Sequence, residues 1–283
     1  MKFKYLIIAF GIIIIIIISV TAFLPVLLAN LDGRSPINSG SSVEYAMNIR
    51  YILFPLLIFM LLLLGFVSIY FLLNYRLFSL LEREDWPALA YYLENKIYVK
   101  GKYSARNVRL LASSYLVISD FQSVLKLEGK IQISKPAEIS KNALLFGSAR
   151  ILSGNYPEAA VFFKNHIDKC KPADKQWVRW FCGFSHLLSG AFQEAEPDFS
   201  SLAVSSDDAL ITGLSSYFLR NSMEKKSSDP QKCRELSETG KDRVIKSVKN
   251  IKNWNKEVVK TGTDIHIAII RKYIDETRQW LFT

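Results

Sequence analysis

Proton or metal chemistry in this chain would have to start from His166, His186 and His266, and their spacing supports neither. A metal site on a helix needs two ligands one turn apart, as in His-x-x-x-His or Glu-x-x-His, so that both face one ion. No such pair occurs, and His166 and His186 fall where helix packing is expected, which makes them structural. Cys170, Cys182 and Cys233 are odd in number and never closer than twelve residues, so they suggest neither a disulfide framework nor a Cys-x-x-Cys site and fit a reducing compartment. Phosphate chemistry needs a glycine-rich loop whose backbone N–H groups reach the oxygens. Gly11, Gly65 and Gly101 stand alone, and Gly-Lys-Ser, Gly-x-Gly-x-x-Gly and the nucleophile-bearing Gly-x-Ser-x-Gly are all missing. Glu82, Glu84 and Asp85 are conceivable as a catalytic carboxylate pair, but a solvated turn accounts for them better. The residues therefore point to no catalytic constellation, no metal and no cofactor. An enzyme whose site escapes motif reading is the competing class, and binding is the expected task.

The elements that must position any binding residue follow from composition. Half of the 283 residues are hydrophobic, enough for a buried core and a membrane part together. Tyr5 to Leu31 carries no acid or base other than tyrosine and includes seven consecutive isoleucines, Ile12 to Ile18. At about 1.5 Å per residue it can cross a hydrocarbon core of roughly 30 Å. A signal peptide is the competing reading, with Lys2 and Lys4 as its basic end and Val20-Thr21-Ala22 as its cleavage site; the length of the apolar run favours an uncleaved span. Tyr51 to Tyr75, bracketed by Arg50 and Arg76 and carrying tyrosines near both ends, reads as a second span. The chain thus divides into a membrane hairpin over 1–75, with spans at about 5–30 and 51–75 and a short loop at 31–50, a helical domain over 76–205 and C-terminal helices over 206–283. Lys2 and Lys4 favour an inner-membrane protein whose soluble part is cytoplasmic; an inverted hairpin would make that part periplasmic. No glycine or proline lies between Phe71 and Trp86, so the second span is expected to run directly into the next helix.

Beyond Arg76 apolar residues recur three and four apart, the period of a helix. Gly154 to Phe163, Gly-Asn-Tyr-Pro-Glu-Ala-Ala-Val-Phe-Phe, recurs 36 residues later as Gly190 to Phe199, Gly-Ala-Phe-Gln-Glu-Ala-Glu-Pro-Asp-Phe. An aromatic repeats as Trp86, Phe121, Tyr156 and Phe192, in steps of 35, 35 and 36. Such a fixed period is the mark of a repeated supersecondary unit. Ala112, Gly147 and Gly183 hold one place in the period and Leu89, Val124, Ala159 and Ala195 another. Small residues at both places let paired helices approach closely. Three residues depart from the pattern: Arg150 where an apolar side chain is usual, Glu128 in place of a large one, and Pro197 inside a helix, where it removes a hydrogen bond and forces a kink.

These units resemble the tetratricopeptide repeat, a helix-turn-helix of 34 residues. The match is good for Ala143 to Lys171 and Trp177 to Ser205, weaker for Val108 to Ile131 and weakest for Leu77 to Ile97. The resemblance implies an all-α fold: two transmembrane helices, then a helical-hairpin solenoid closed by long C-terminal helices. A generic right-handed helical-hairpin solenoid would have nearly the same architecture. In tetratricopeptide domains the first helices line a concave groove. By that register the groove wall here would be Arg106, Arg109 and Ser113, then Lys141, Leu144 and Ser148, then Trp177, Trp180 and Phe184. Basic residues beside aromatics would suit a peptide with acidic and apolar side chains. The competing assignment puts Trp177 and Trp180 in the core between repeats.

Net charge is +10, from 36 basic against 26 acidic residues, which favours anionic partners such as phospholipid head groups or nucleic acid. Lys241 to Lys260 reads as one long helix with Lys246, Lys249, Lys252, Lys256 and Lys260 along a single face, fit for an anionic lipid surface or simply solvated. Ile265 to Leu281 reads as a closing helix, with Thr263 or Asp264 as its cap. The layout of two spans followed by repeats is similar to HemY-type membrane proteins. The expected function is a membrane-anchored adaptor that assembles or stabilises a membrane-associated complex of proteins. A periplasmic part of an envelope machine, such as a flagellar motor collar, and a lipid- or nucleic-acid-binding module are the alternatives, with nucleic acid the weakest.

Overall fold

The computed structural model describes residues 14–15, 41–261 and 265–283, and among these the chain is helical with no strand. The span expected at 5–30, residues 31–40 of the loop, and the cap expected at Thr263 or Asp264 lie outside the described residues. The chain forms two compact units, 1–89 and 90–283.

In the first unit helix α1, Ser41–Leu73, begins ten residues before the expected Tyr51 and takes in the second half of the loop. It ends at Asn74, and α2, Tyr75–Glu82, leaves at 65° to Ile58–Leu73. The continuous helix expected between Phe71 and Trp86 is therefore interrupted. The asparagine does what a glycine or proline was expected to do: its Nδ2 donates to the Tyr70 carbonyl at 2.9 Å, drawing the side chain into the backbone ladder at the break. Phe71 and Phe78 meet across the corner, 5.3 Å between ring centroids. Among the described residues no single helix is long and apolar enough to cross a membrane; Ile58–Leu73 and Tyr75–Glu82 pass only as a bent pair, by length and composition.

The second unit begins within α3, Trp86–Glu94. Helices follow in hairpin order: α4, Ala105–Val117; α5, Phe121–Ser134; the short α6, Ala137–Lys141; α7, Ala143–Leu152; α8, Tyr156–His166; α9, Lys175–Leu188; α10, Phe192–Ser205; α11, Ala209–Phe218; and α12, Pro230–Val248. Apart from α6, a short linker segment, each packs on the helix before it from α5 onward. The chain closes with α13, Ile251–Thr261, α14, Ile265–Ile269, and α15, Arg271–Phe282.

One joint recurs four times, and it explains the period of the sequence. Glu84, Ser119, Gly154 and Gly190 all have left-handed backbone, with φ of 54°, 61°, 80° and 79°. Behind each the same two bonds close the preceding helix: Asp85, Asp120, Asn155 and Ala191 N–H donate to carbonyls five residues back, at 3.2, 2.9, 2.9 and 2.9 Å. The left-handed residue itself donates three residues back. This is the Schellman cap, which satisfies the last carbonyls of a helix. The next residue in every case is the periodic aromatic, Trp86, Phe121, Tyr156 or Phe192, and it opens the second helix. Glycine serves only two of the four joints. A Cβ in this region costs about 1 kcal/mol, so Ser119→Gly is expected to raise stability by about 0.5–1 kcal/mol in chemical denaturation; a loss of stability would mean that the serine side chain itself holds the joint.

The departures from the repeat pattern also resolve. Arg150 on α7 and Glu128 on α5 form a forked pair at 2.7 and 3.0 Å, with the guanidinium 4.3 Å from the Phe162 ring centroid. Each replaces an apolar residue, and each is the other's partner. Their side chains are 16 % and 15 % exposed, so removing one leaves a mostly buried charge without its partner. Arg150→Ala or Glu128→Ala alone is expected to cost about 2–3 kcal/mol, while Arg150→Leu with Glu128→Leu stays within about 1 kcal/mol of the parent. Additive losses in that double-mutant cycle would contradict the pairing. Pro197 lies on the exposed side of α10, and the helix runs through it to Ser205.

Candidate functional site

The nine residues expected to line one groove separate into two environments. Arg106, Arg109 and Lys141 are exposed and Ser113 is half-buried, whereas Leu144, Ser148, Trp177, Trp180 and Phe184 are buried. The open wall expected at Trp177, Trp180 and Phe184 is therefore corrected: these rings are core. Trp180 stacks on Phe184 at 5.0 Å and meets Phe199 of α10 and Phe218 of α11 at 6.0 and 5.9 Å. The chain's own C-terminal helices cover the first helices of the hairpins. His266 of α14 meets Trp177 and Phe181 at 5.6 and 5.8 Å, and Tyr273 of α15 meets Phe184 at 5.4 Å.

The lysine stripe is corrected as well. Lys249 has φ of 67° and ends α12, so Lys241 to Lys260 is two helices. Asn250 Oδ1 accepts the Asn253 N–H at 2.9 Å to start the second. Lys246 and Lys249 are thereby separated from Lys252, Lys256 and Lys260, which remain exposed one turn apart on α13, away from buried Trp254.

The exposed arginine Arg106 borders a shallow, solvent-open cleft of about 480 Å³ that motif reading missed. Four cations line it, Lys96, Lys102, Arg106 and Lys135, with Gly101, Tyr103, Ser104 and Asn107 and no carboxylate. They come from distinct places in the chain: Lys96 from a π-turn at Asn95–Val99, Lys102 from the following loop, Arg106 from the first turn of α4, and Lys135 from the end of α5. The loop is fixed by its own bonds. Gly101 takes φ of 63°, Asn107 Nδ2 donates to the Lys102 carbonyl at 2.9 Å, and Ser104 Oγ accepts the Asn107 N–H at 3.2 Å. Elsewhere on α4, Tyr115 donates to Glu94 at 2.6 Å; burial first, then that bond, raises the phenol pKa, so the hydroxyl stays a donor. Cations gathered in a cleft raise the local concentration of anionic groups and speed their arrival. The signal in the sequence is Lys96, Lys100, Lys102 and Arg106 close together in the chain, but the joining of Lys135 is a tertiary fact.

Asp85, His166 and Cys182 each have a partner or a place in the fold. Asp85 Oδ1 accepts the Ala88 N–H at 3.1 Å, which makes it a helix cap. His166 stacks on Phe162 at 4.2 Å, with Nδ1 2.7 Å from that residue's carbonyl oxygen. Burial, reinforced by Asp198, pushes the Cys182 thiol up to about 12, which removes the thiolate needed for nucleophilic or redox work. Among the described residues no three His, Cys, Asp or Glu side chains gather as metal ligands.

Comparison with known proteins gives two matches. A family model described as "Uncharacterised Treponema protein" matches residues 123–283, from within α5 to the end of the chain. An "Uncharacterized protein" of Treponema pallidum (strain Nichols) is 28% identical over 233 residues, covering 80% of this chain and 74% of that relative. No solved structure matches.

Proposed function

Since the chain belongs to this Treponema family, described as uncharacterised, we propose its function from its own geometry: a membrane-anchored, tetratricopeptide-like scaffold that recruits another protein and helps to assemble or stabilise a membrane-associated complex. The observation that carries this is the joint repeated at Glu84, Ser119, Gly154 and Gly190. Hairpins joined alike at a fixed period form extended surfaces whose use is recognition. The cleft of Lys96, Lys102, Arg106 and Lys135 then supplies the specificity, for an acidic segment of the partner. The anchor is supported by α1, where Phe59, Leu62, Phe66, Ile69, Leu72 and Leu73 are all exposed. A contiguous apolar surface of that kind needs cover, and lipid tails supply it. The inner membrane with the soluble unit on the cytoplasmic side is the corresponding location.

Membrane fractionation combined with in-cell crosslinking tests this reading. The chain is expected to stay in the membrane pellet through an alkaline carbonate wash and to crosslink through residues 90–283 to a defined protein. Release by the wash, or a chain that crosslinks to nothing but itself, would overturn it. A second reading, contact with anionic lipid, draws on exposed Lys252, Lys256 and Lys260. Liposome binding unchanged by charge reversal at all three would remove it.

A further inference from the structure

The cation-lined cleft has an apolar margin. Ile133 and Val99 are the two most exposed large apolar side chains among the described residues of the second unit, at 89 % and 76 %. Single exposed aliphatics are ordinary on a protein surface. These two, however, stand on the segments that supply the cleft's lysines. Val99 ends the π-turn that carries Lys96 and lies three residues before Lys102, and Ile133 lies two residues before Lys135. Lys130, one turn before Ile133 on α5, sets its Nζ 3.9 Å from the Tyr98 ring centroid, which holds the end of α5 beside the π-turn. Tyr103 adds an aromatic to the lining itself.

The surrounding chain supplies few carboxylates to offset the cations. Residues 90–141, from the start of the second unit to the end of α6, hold nine lysines and arginines against four acids, a net +5 of the chain's +10. Each acid has a partner of its own. Glu94 accepts from Tyr115 at 2.6 Å, Asp120 Oδ1 accepts the Ser123 N–H at 3.1 Å, Glu128 holds Arg150 at 2.7 Å, and Glu138 accepts from Lys141 at 2.8 Å. None lines the cleft. An occupant therefore has to bring the negative charge, and at the margin it meets aliphatic side chains that water now covers. A bilayer is flat and rests on protruding side chains, whereas cations set around a depression reach a segment of chain that lies in it. Lys96, Lys102 and Lys135 are point charges on flexible stems, without the fork by which arginine selects one planar group. Such a lining selects charge density, and apolar contact at the margin adds the selectivity that charge alone lacks.

We propose that the cleft receives a segment of the partner in which acidic residues are interspersed with aliphatic or aromatic ones, its carboxylates on Lys96, Lys102, Arg106 and Lys135 and its apolar side chains over Val99 and Ile133. The inference deepens the adaptor reading and rests on it for the existence of a partner. Fluorescence anisotropy of three labelled peptides with the detergent-solubilised full chain tests it, with micelles alone as the blank. One peptide alternates aspartate with leucine, the second has serine for each leucine, and the third has lysine for each aspartate. The leucine peptide is expected to bind at least fivefold tighter than the serine peptide, and the lysine peptide not at all. Val99→Ser with Ile133→Ser should abolish that preference and leave the serine peptide within twofold of its affinity for the parent. Lys102→Glu with Lys135→Glu should weaken both acidic peptides at least tenfold. All four side chains are exposed, so helical content and melting temperature are expected to match the parent. Equal binding of the leucine and serine peptides, a preference that survives the two serine changes, binding indifferent to the charge reversal, or no binding at all would overturn the proposal. Displacement of the leucine peptide by short-chain phosphatidylglycerol at a lower concentration than by unlabelled peptide would assign the cleft to lipid and overturn it too. A chain that crosslinks a defined partner in cells but shows no peptide preference keeps the adaptor reading and loses this one; a chain that shows the preference yet crosslinks to nothing loses the adaptor reading and keeps the selectivity of the cleft.

Discussion

Trp180→Ala is expected to cost the second unit about 3–5 kcal/mol, the usual loss for truncating a large buried aromatic. The ring is fully buried and meets Trp177, Phe181, Phe184, Phe199 and Phe218 at 5.0 to 6.0 Å. These partners come from α9, α10 and α11, so the cavity left behind cannot collapse from one side. For a unit of this size each kcal/mol lowers the melting temperature by about 2–4 °C, which makes a fall of roughly 6–20 °C the expected readout. Trp180→Phe is the informative control. Trp180 Nε1 is buried without a hydrogen bond, so phenylalanine keeps an aromatic plate and removes an unsatisfied donor. That change is expected to stay within about 1.5 kcal/mol of the parent. A loss below about 1 kcal/mol for the alanine variant would mean that the ring is not core and would return it to an open groove wall.

Gly147→Ala is the second large effect. A Cβ at Gly147 would lie 2.0 Å from Phe163 Cζ and 2.3 Å from Cε1. Phe163 is itself fully buried and stacks on Phe181 at 5.8 Å, so the ring has nowhere to go. Overpacking of this kind costs typically 1–3 kcal/mol and occasionally more. The gain in helix propensity from glycine to alanine returns about 1 kcal/mol of that. With the ring held this tightly the cost lies at the top of that range, so a net loss of about 2 kcal/mol is expected, and Gly147→Ala with Phe163→Leu should recover more than half of it. Gly183 holds the same place in the next repeat, yet its added methyl would come no closer than 3.1 Å to any atom, Asp198 Cβ, with Ala195 O and Phe199 Cε1 at an ordinary 3.5 Å. The neighbour has to give by only a few tenths of an ångström, against more than one at Gly147, so Gly183→Ala is expected to lie within about 1 kcal/mol of the parent. Equal losses at the two glycines would contradict the contact geometry.

The contrast between these glycines marks how far local pattern reaches. Period 35 and 36 is a property of short stretches, and the helix starts at Trp86, Phe121, Tyr156 and Phe192 follow it residue for residue. Glycine announces two of the four joints in the sequence, while Glu84 and Ser119 take the same left-handed backbone without announcing it. Breaks made by asparagine and lysine were equally silent: Asn74 and Lys249 interrupt two helices that contain neither glycine nor proline at those points. Long-range pairings lie further out of reach. Arg150 and Glu128 read as two defects because 22 residues separate them, and only the packing of α7 on α5 makes them one interaction. The candidate site divides along the same line. Arg106 and Arg109 were legible from the repeat register and are exposed, whereas Trp177, Trp180 and Phe184 lost their exposure to C-terminal helices that start some 80 residues later in the chain. Lys96, Lys102 and Lys135 fell outside the register, because their cleft is built by a loop and the end of a neighbouring helix.

Capture of proteins from detergent-solubilised native membranes, comparing the full chain with one carrying Lys102→Glu, Arg106→Glu and Lys135→Glu, tests the scaffold claim most directly. All three side chains are exposed, so both chains should show the same helical content and melting temperature. The parent is expected to retain a defined membrane-associated partner, weakened by added salt, and the charge-reversed chain to retain at least tenfold less of it. Capture of the same partner in equal amount by both chains, or of none by either, would contradict the account.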